Sequence, residues 1–80
     1  MSSNEVSVRI FVEVVNGTIG TGRYESYGRT STAVPPAIGD SVVLEDGLKR
    51  RVVDRVWSCP DIFRGVTLYL DDPRITERHA

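Results

Sequence analysis

The most regular feature of this sequence is an alternation of apolar side chains over residues 6–15. One set of alternate positions holds only branched aliphatic residues, namely Val6, Val8, Ile10, Val12 and Val14. Successive side chains of a β-strand point to opposite faces of the sheet, so a period of two is typical of a strand that buries one face. The pattern predicts a long strand whose apolar face other strands must cover.

The alternation ends at the pair Asn16-Gly17. This pair accepts the positive φ angles of a type I′ turn, and a second extended stretch follows over residues 19–27. We therefore expect the chain to open with a long β-hairpin. Gly20 and Gly22 in the returning strand have no side chains to pack, which indicates a bulge or a sharp bend there.

The middle of the chain predicts a loop, a short strand and a tight turn. Residues 29–36 are polar and end in two prolines, which favours a connecting loop. A strand over residues 41–44 should turn Val42 and Leu44 to the core. We expect a three-residue loop after it, with Gly47 left-handed, because a two-residue loop would turn cations to the core.

The sequence shows which side chains face the core less clearly in the fourth strand than in the fifth. The register set by that loop points Arg50 and Asp54 inward together with Val52, and a buried carboxylate without a partner is costly. A bulge near Asp54 would remove this cost. With a bulge there, Trp57 turns to the core in place of Val56, and the sequence leaves open which of the two cases holds. The last strand covers residues 66–70, and its inward positions are Val66, Leu68 and Leu70.

Three segments carry a Gly-Asp strand entry or alternating valines: residues 36–42, 52–57 and 66–70. They resemble small SH3-like barrels found in uncharacterised bacterial and phage proteins, and the resemblance covers about the C-terminal half of the chain. It implies a barrel that binds something. Together with the hairpin it predicts an all-β fold, a five-stranded, antiparallel SH3-like small barrel. Members of this fold bind peptides or nucleic acid or are purely architectural, so the fold alone does not choose a function.

Chain length limits the domain organisation. Eighty residues leave room for one hydrophobic core. We expect a disordered N-terminal tail over residues 1–5, a single barrel domain over residues 6–72 and a C-terminal tail over residues 73–80.

Charge and cysteine content restrict the setting. The formal net charge is -1, so no field of the whole molecule would draw it to nucleic acid or to an anionic membrane. Cys59 is the single cysteine and has no internal disulfide partner, which favours a reducing compartment. The chain has neither a basic, apolar leader nor the roughly 20 apolar residues of a membrane span. We expect a cytoplasmic protein.

Catalytic chemistry has little support in the sequence. The chain holds one histidine, His79, and one cysteine, Cys59. No spacing of residues predicts a catalytic triad or a zinc site. We therefore expect no enzymatic activity, no metal and no cofactor, and we infer no small-molecule substrate.

One group of residues favours a binding site, a cationic strand that ends in a tryptophan. The predicted register turns alternate residues of this strand outward together, with Trp57 among them if there is no bulge. The following loop adds an aromatic residue and an arginine. Such a row can hold phosphates while it stacks a base, or can clamp an acidic peptide. The candidate binding residues are Lys49, Arg51, Arg55, Trp57, Phe63 and Arg64.

Two functions follow from these features. The first is a non-enzymatic protein-interaction or assembly module, a bacterial or phage structural or adaptor protein that binds a protein partner or itself. The alternative is nucleic-acid binding through the strand from Lys49 to Trp57, against which the net charge of -1 argues. A purely structural interpretation pairs Lys49 and Arg51 with Glu45 and other acids, while Trp57 caps the core.

Overall fold

The computed structural model describes residues 5–58 and 65–78 and shows an all-β protein. Its strands form one curled, half-barrel sheet in the order β3-β4-β5-β1-β2-β6. They are β1 (Val6–Asn16), β2 (Ile19–Thr32), β3 (Ser41–Val43), β4 (Lys49–Ser58), β5 (Gly65–Leu70) and β6 (Glu77–Arg78).

The sheet is mixed, whereas the sequence predicted five antiparallel strands. Strand β1 pairs antiparallel with β2 but parallel with β5, and the sixth strand, β6, pairs parallel with β2. The parallel contact has a simple cause. The chain reverses direction at each connection from β1 to β5, so the first and fifth strands run the same way when they meet.

The predicted long hairpin is confirmed, with a different turn. Asn16 pairs with Ile19, so Gly17 and Thr18 are the two turn residues. Gly17 has φ 66°, and no non-glycine residue has a positive φ in the part of the chain that the structure describes. A positive φ at the first central residue alone is the pattern of a type II′ turn, not of the predicted type I′ turn.

A register shift lies in the hairpin where the glycines predicted a bulge. Glu13 pairs with Tyr24 and Val15 pairs with Gly20, so residues 21–23 of β2 lie opposite a single residue of β1. Gly22 has φ 74° inside this insertion. Left-handed backbone is accessible to glycine at little cost, which explains its place here.

The predicted loop over residues 29–36 begins too early. Residues 29–32 belong to β2 and pair with residues 6–9 of β1. Polar residues suffice in this strand because most of its side chains are exposed and its backbone bonds to β1 hold it in place.

The core lies on one face of the sheet and matches the predicted inward positions closely. Val42, Leu44 and Ile10 pack against its margin, whereas Val14 is only half-buried. The buried apolar residues are Val6, Val8, Val12, Val52, Val66, Leu68 and Leu70.

A register shift in β4 shows that the bulge near Asp54, one of the two cases the sequence left open, is present. Val52 pairs with Leu70 and Asp54 pairs with Tyr69, so Val53 is the extra residue. Beyond it, Trp57 pairs with Val66 and therefore lies on the core side of the sheet, while remaining 44% exposed. The structure thus decides the question that the sequence left open.

The connection from β3 to β4 keeps the predicted register. Val42 pairs with Arg50, as a three-residue loop would require, although the ladder itself opens at Val43 and Lys49. Gly47 has φ 80° and donates its backbone N–H to the Leu44 carbonyl over 2.9 Å.

The segment assigned to a C-terminal tail contributes to the sheet. The Thr76 backbone N–H donates to the Thr18 carbonyl over 2.9 Å, and Glu77 and Arg78 form β6 beside β2. The other end of that segment is held by Asp72, whose carbonyl accepts the Ile75 N–H over 3.1 Å.

Candidate functional site

The structure separates the cations that the sequence placed in one row. Lys49 and Arg51 are exposed and alternate with inward-facing Arg50 and Val52. Beyond the bulge at Val53 the alternation is shifted by one residue, so Arg55 and Trp57 lie on the opposite face from Lys49 and Arg51. Phe63 and Arg64, together with Cys59 and His79, lie outside the described residues. A binding role for this set stays a prediction.

Arg55 makes its contacts within the protein. Its guanidinium carbon lies 5.6 Å from the centroid of the Trp57 ring, a cation–π geometry. Its Nη1 donates to the Pro36 carbonyl over 3.4 Å. Arg55 therefore links β4 to the loop that follows β2. Its side chain is half-buried and already engaged in these two contacts, which limits its availability to a ligand.

Arg50 is inward, as predicted, and is paired rather than orphaned. Its side chain is 4% exposed, and its Nη2 donates to Asp46 over 2.7 Å. Its Nη1 donates to the Asp71 carbonyl over 3.2 Å and lies 3.5 Å from the Asp72 carboxylate. This cation holds the β3–β4 turn against the end of β5, so its charge serves the fold.

Asp72 is held by two arginines. Arg74 donates to both of its oxygens, over 2.9 Å from Nε and 2.6 Å from Nη2. The hydrogen bonds from Arg74 outweigh burial and lower the pKa of Asp72 to about 2. The carboxylate is therefore ionised at neutral pH and fixes the turn that leads to β6.

A second buried carboxylate, Glu13, anchors the end of the hairpin. It is 3% exposed, and its Oε2 accepts from Arg78 Nη1 over 2.6 Å and from the Gly22 backbone N–H over 3.1 Å. Burial and the charge of Glu13, in that order, raise the pKa of the neighbouring Tyr24 hydroxyl. These interactions are again structural ones.

The outer edge of β2 is the feature best placed to bind another protein. β6 pairs only with Ile19 and Gly20, and the N–H groups of Gly22 and Arg23 donate to side chains of Glu13 and Thr21. Of the next nine residues, 24–32, eight pair with β1 and Tyr27 is the extra residue of a bulge. Within the described chain, none of the nine pairs with another strand. We call residues 24–32 the free edge of β2.

A cleft that we call the seam lies between this free edge and β3. It has a volume of about 460 Å³ and is lined on one side by Tyr27, Gly28 and Thr30 and on the other by Val43, Leu44 and Glu45. The Tyr27 hydroxyl spans it and accepts the Glu45 backbone N–H over 3.2 Å. The half-barrel is therefore open along the seam, which this hydrogen bond bridges.

Sequence reasoning missed the free edge and the seam. The stretch over residues 29–32 was assigned to a loop because it is polar, yet its two threonines are β-branched, a composition that favours strands. No local pattern reveals which strand remains unpaired on one side, because that depends on the order of strands in the sheet.

Two further negative findings concern the described residues. Residues 5–58 and 65–78 contain no helix whose length and apolar character would let it cross a bilayer. In the same ranges, no group of three or more His, Cys, Asp or Glu side chains is arranged to hold a metal ion.

The chain was compared with known proteins in three ways. Protein-family models, curated protein sequences and solved structures were each compared with the chain, and none of the three gave a match.

Proposed function

We propose that this protein is a non-enzymatic protein-interaction module that accepts an extended segment of a partner protein on the free edge of β2. The observation that carries the proposal is the edge itself, nine residues that have no strand on their outer side within the described chain, eight of them paired with β1 on the inner side. At about 3.3 Å per residue the edge is about 30 Å long. Unpaired backbone groups on an edge of this length are a template for strand addition.

The side chains around the seam favour an occupant over open solvent. Val43 is 64% exposed and Tyr27 is 39% exposed, although both border the seam. Ile10, at the margin of the core, also lines it. An added strand would pair its backbone with β2 and place alternate apolar side chains against these residues, which gives affinity and selectivity together.

Gly28 makes room for such a strand. It pairs with Ile10, so a side chain at this position would point to the core side of the sheet and into the seam. A Cβ atom built at Gly28 meets nothing within 4 Å. Glycine weakens a strand interior, so its presence here fits a site where another backbone approaches closely.

Within this proposal the half-barrel is an SH3-like small barrel whose open side the partner strand covers. The partner is another protein or a second copy of the same chain, and the module acts in the cytoplasm as a structural or adaptor component of a bacterial or phage assembly. Nucleic-acid binding through the strand from Lys49 to Trp57 has weaker support, because the bulge at Val53 divides its cations between two faces.

The experiment is a peptide selection combined with hydrogen exchange. Displayed random peptides are selected against the whole chain, and self-association is measured by sedimentation at increasing concentration. We expect the bound peptide, or the second copy, to slow amide exchange at alternate residues of the free edge. Exchange that slows elsewhere and leaves residues 24–32 unchanged contradicts the proposal, and so does a monomer that selects no peptide.

A pair of lysine variants separates the seam from general surface charge. Gly28→Lys places a long cationic side chain in the seam and should abolish binding without unfolding the protein, since the site has room. Val56→Lys adds the same charge at a 46% exposed position of β4 that faces away from the core. The proposal requires that Val56→Lys still binds, and equal losses in both variants would refute it.

A further inference from the structure

Two arginines face each other on the side of the sheet away from the core. Arg9 of β1 pairs directly with Arg29 of β2 in the antiparallel ladder, so both side chains leave the sheet on the same face. This face is opposite to that of Val8 and Ile10, which belong to the core and its margin. Both arginines are exposed.

Within residues 5–58 and 65–78, neither arginine has a compensating acid. Arg9 and Arg29 form no ion pair and no side-chain hydrogen bond with any residue of the described ranges, whereas Arg50, Arg74 and Arg78 each pair with a carboxylate. Like charges directly opposite each other on neighbouring strands destabilise a sheet. The contacts among the described residues therefore give no reason for this pair.

A cleft adjoins the two guanidinium groups and supplies further hydrogen-bond donors. It has a volume of about 270 Å³, and its walls include Ser7, Ser58 and Thr67 beside Arg9 and Arg29. Thr67 pairs with Arg9 across β1 and β5, and Gly65, which lies opposite Ser7, has no side chain to fill the space. We call this group of residues the arginine cleft.

This donor set matches one class of ligand. Guanidinium groups and hydroxyls all donate hydrogen bonds, and two guanidinium groups carry two positive charges. A phosphate group offers several acceptor oxygens and the opposite charge, and its bonds to arginine are short, charge-assisted and frequently bidentate. Bound phosphate would also cancel the repulsion between Arg9 and Arg29.

We propose that Arg9 and Arg29 bind a phosphate group in the arginine cleft, which Arg29 borders together with the seam. A second cleft of about 390 Å³ continues on the other side of the pair and is lined by Phe11, Ser26 and Gly28. The Phe11 ring packs on Tyr69, with centroids 5.6 Å apart. The organic group of a bound phosphate ester could therefore pack against an aromatic surface beside the arginines.

The test is a titration of the whole chain with inorganic phosphate, followed by amide chemical shifts in NMR spectra at constant ionic strength, with chloride as the reference salt. We expect saturable shifts centred on residues 7–9, 28–30 and 65–67. The double variant Arg9→Gln/Arg29→Gln should weaken the affinity by about tenfold or more, because it removes charge-assisted bonds.

A matched control removes the same charge elsewhere. The double variant Arg23→Gln/Arg51→Gln changes two exposed arginines that do not line the arginine cleft. The proposal requires that this control keeps the affinity of the unchanged protein. It is overturned if both double variants lose affinity equally, or if the unchanged protein shows no saturable shifts with phosphate.

A folding control accompanies the titration. Arg9→Gln/Arg29→Gln should melt at the same or a higher temperature than the unchanged protein without phosphate, because a repulsion is removed and no ion pair with a described residue is lost. Phosphate should raise the melting temperature of the unchanged protein more than that of the double variant. An equal rise in both proteins would contradict a specific site.

Two further titrations identify the source of the phosphate, a nucleoside monophosphate and a short single-stranded oligothymidylate. Tighter binding of the oligonucleotide, with a strong dependence on salt, supports the site and assigns it to a nucleic-acid backbone. Equal or tighter binding of the monophosphate supports the site and assigns it to a small phosphate ester. Binding of either ligand that survives Arg9→Gln/Arg29→Gln overturns the proposal.

Discussion

Arg78 Nη1 lies 2.6 Å from Glu13 Oε2 and joins residues that are 65 positions apart in the chain. The Glu13 side chain is 1% exposed and that of Arg78 is 55% exposed, so the arginine covers a carboxylate that the sheet has removed from water. The contact ties β6 to the hairpin. Glu77 and Arg78, which the sequence assigned to a tail, are thereby held beside β2.

Removal of this arginine should destabilise the fold. Arg78→Ala leaves Glu13 buried with the Gly22 N–H as its remaining hydrogen-bond donor among the described residues. We expect the free energy of unfolding in urea to fall by about 1–3 kcal/mol, the cost of an uncompensated buried polar group. Arg23→Ala, a change at an exposed arginine, should cost far less, and equal costs would contradict a stabilising role for the pair.

The space around two glycines predicts opposite effects of the same substitution. A Cβ at Gly20 would lie 2.8 Å from Glu13 Oε2 and 3.0 Å from both Arg78 Nη1 and Ile75 Cδ1. Gly20→Ala should therefore destabilise by about 1–3 kcal/mol, as other overpacked sites do. Gly28→Ala meets nothing within 4 Å and should leave stability unchanged or raise it by up to about 1 kcal/mol. Urea unfolding of both variants measures the contrast, and its reversal would refute this packing.

The fall in the free energy of unfolding at low pH should depend on Asp72. Hydrogen bonds from Arg74 hold its pKa at about 2 against an ordinary value of 3.8. A lowered pKa contributes stability above pH 3.8, and that stability is lost as the pH falls through about 2. The contribution is about 2 kcal/mol. Asp72→Asn should flatten the fall in urea-measured stability between these values, and an unchanged slope would show that other carboxylates cause it.

The bulge in β4 predicts that Val53 is dispensable for register. Deletion of Val53 makes Val52 and Asp54 consecutive, and these residues already pair with Leu70 and Tyr69, which are consecutive in β5. We expect the deleted chain to keep the pairing of Trp57 with Val66, seen as proton contacts between the two side chains in NMR spectra. A contact of Val56 with Val66 in its place would contradict this register.

Several elements could be predicted because their signals are local. The period of two along residues 6–12 and 66–70 identified the buried faces of β1 and β5, since burial of alternate side chains is a property of one strand. The Asn16-Gly17 pair and Gly47 marked turns because positive φ angles select glycine. The cost of burying Asp54 raised the bulge in β4 as one of two alternatives, and only the pairing with β5 decided between them.

Only the tertiary structure decided which strands become neighbours. The parallel contact of β1 with β5, the addition of β6, the free edge of β2 and the position of Arg9 opposite Arg29 all depend on contacts between distant segments. The same is true of the pairs Arg50–Asp72 and Glu13–Arg78. Backbone pairing between distant segments leaves no periodic pattern in the sequence of either segment. Composition and alternation therefore determined only an all-β chain with one buried face. The order of the strands in the sheet determined which surfaces the protein exposes.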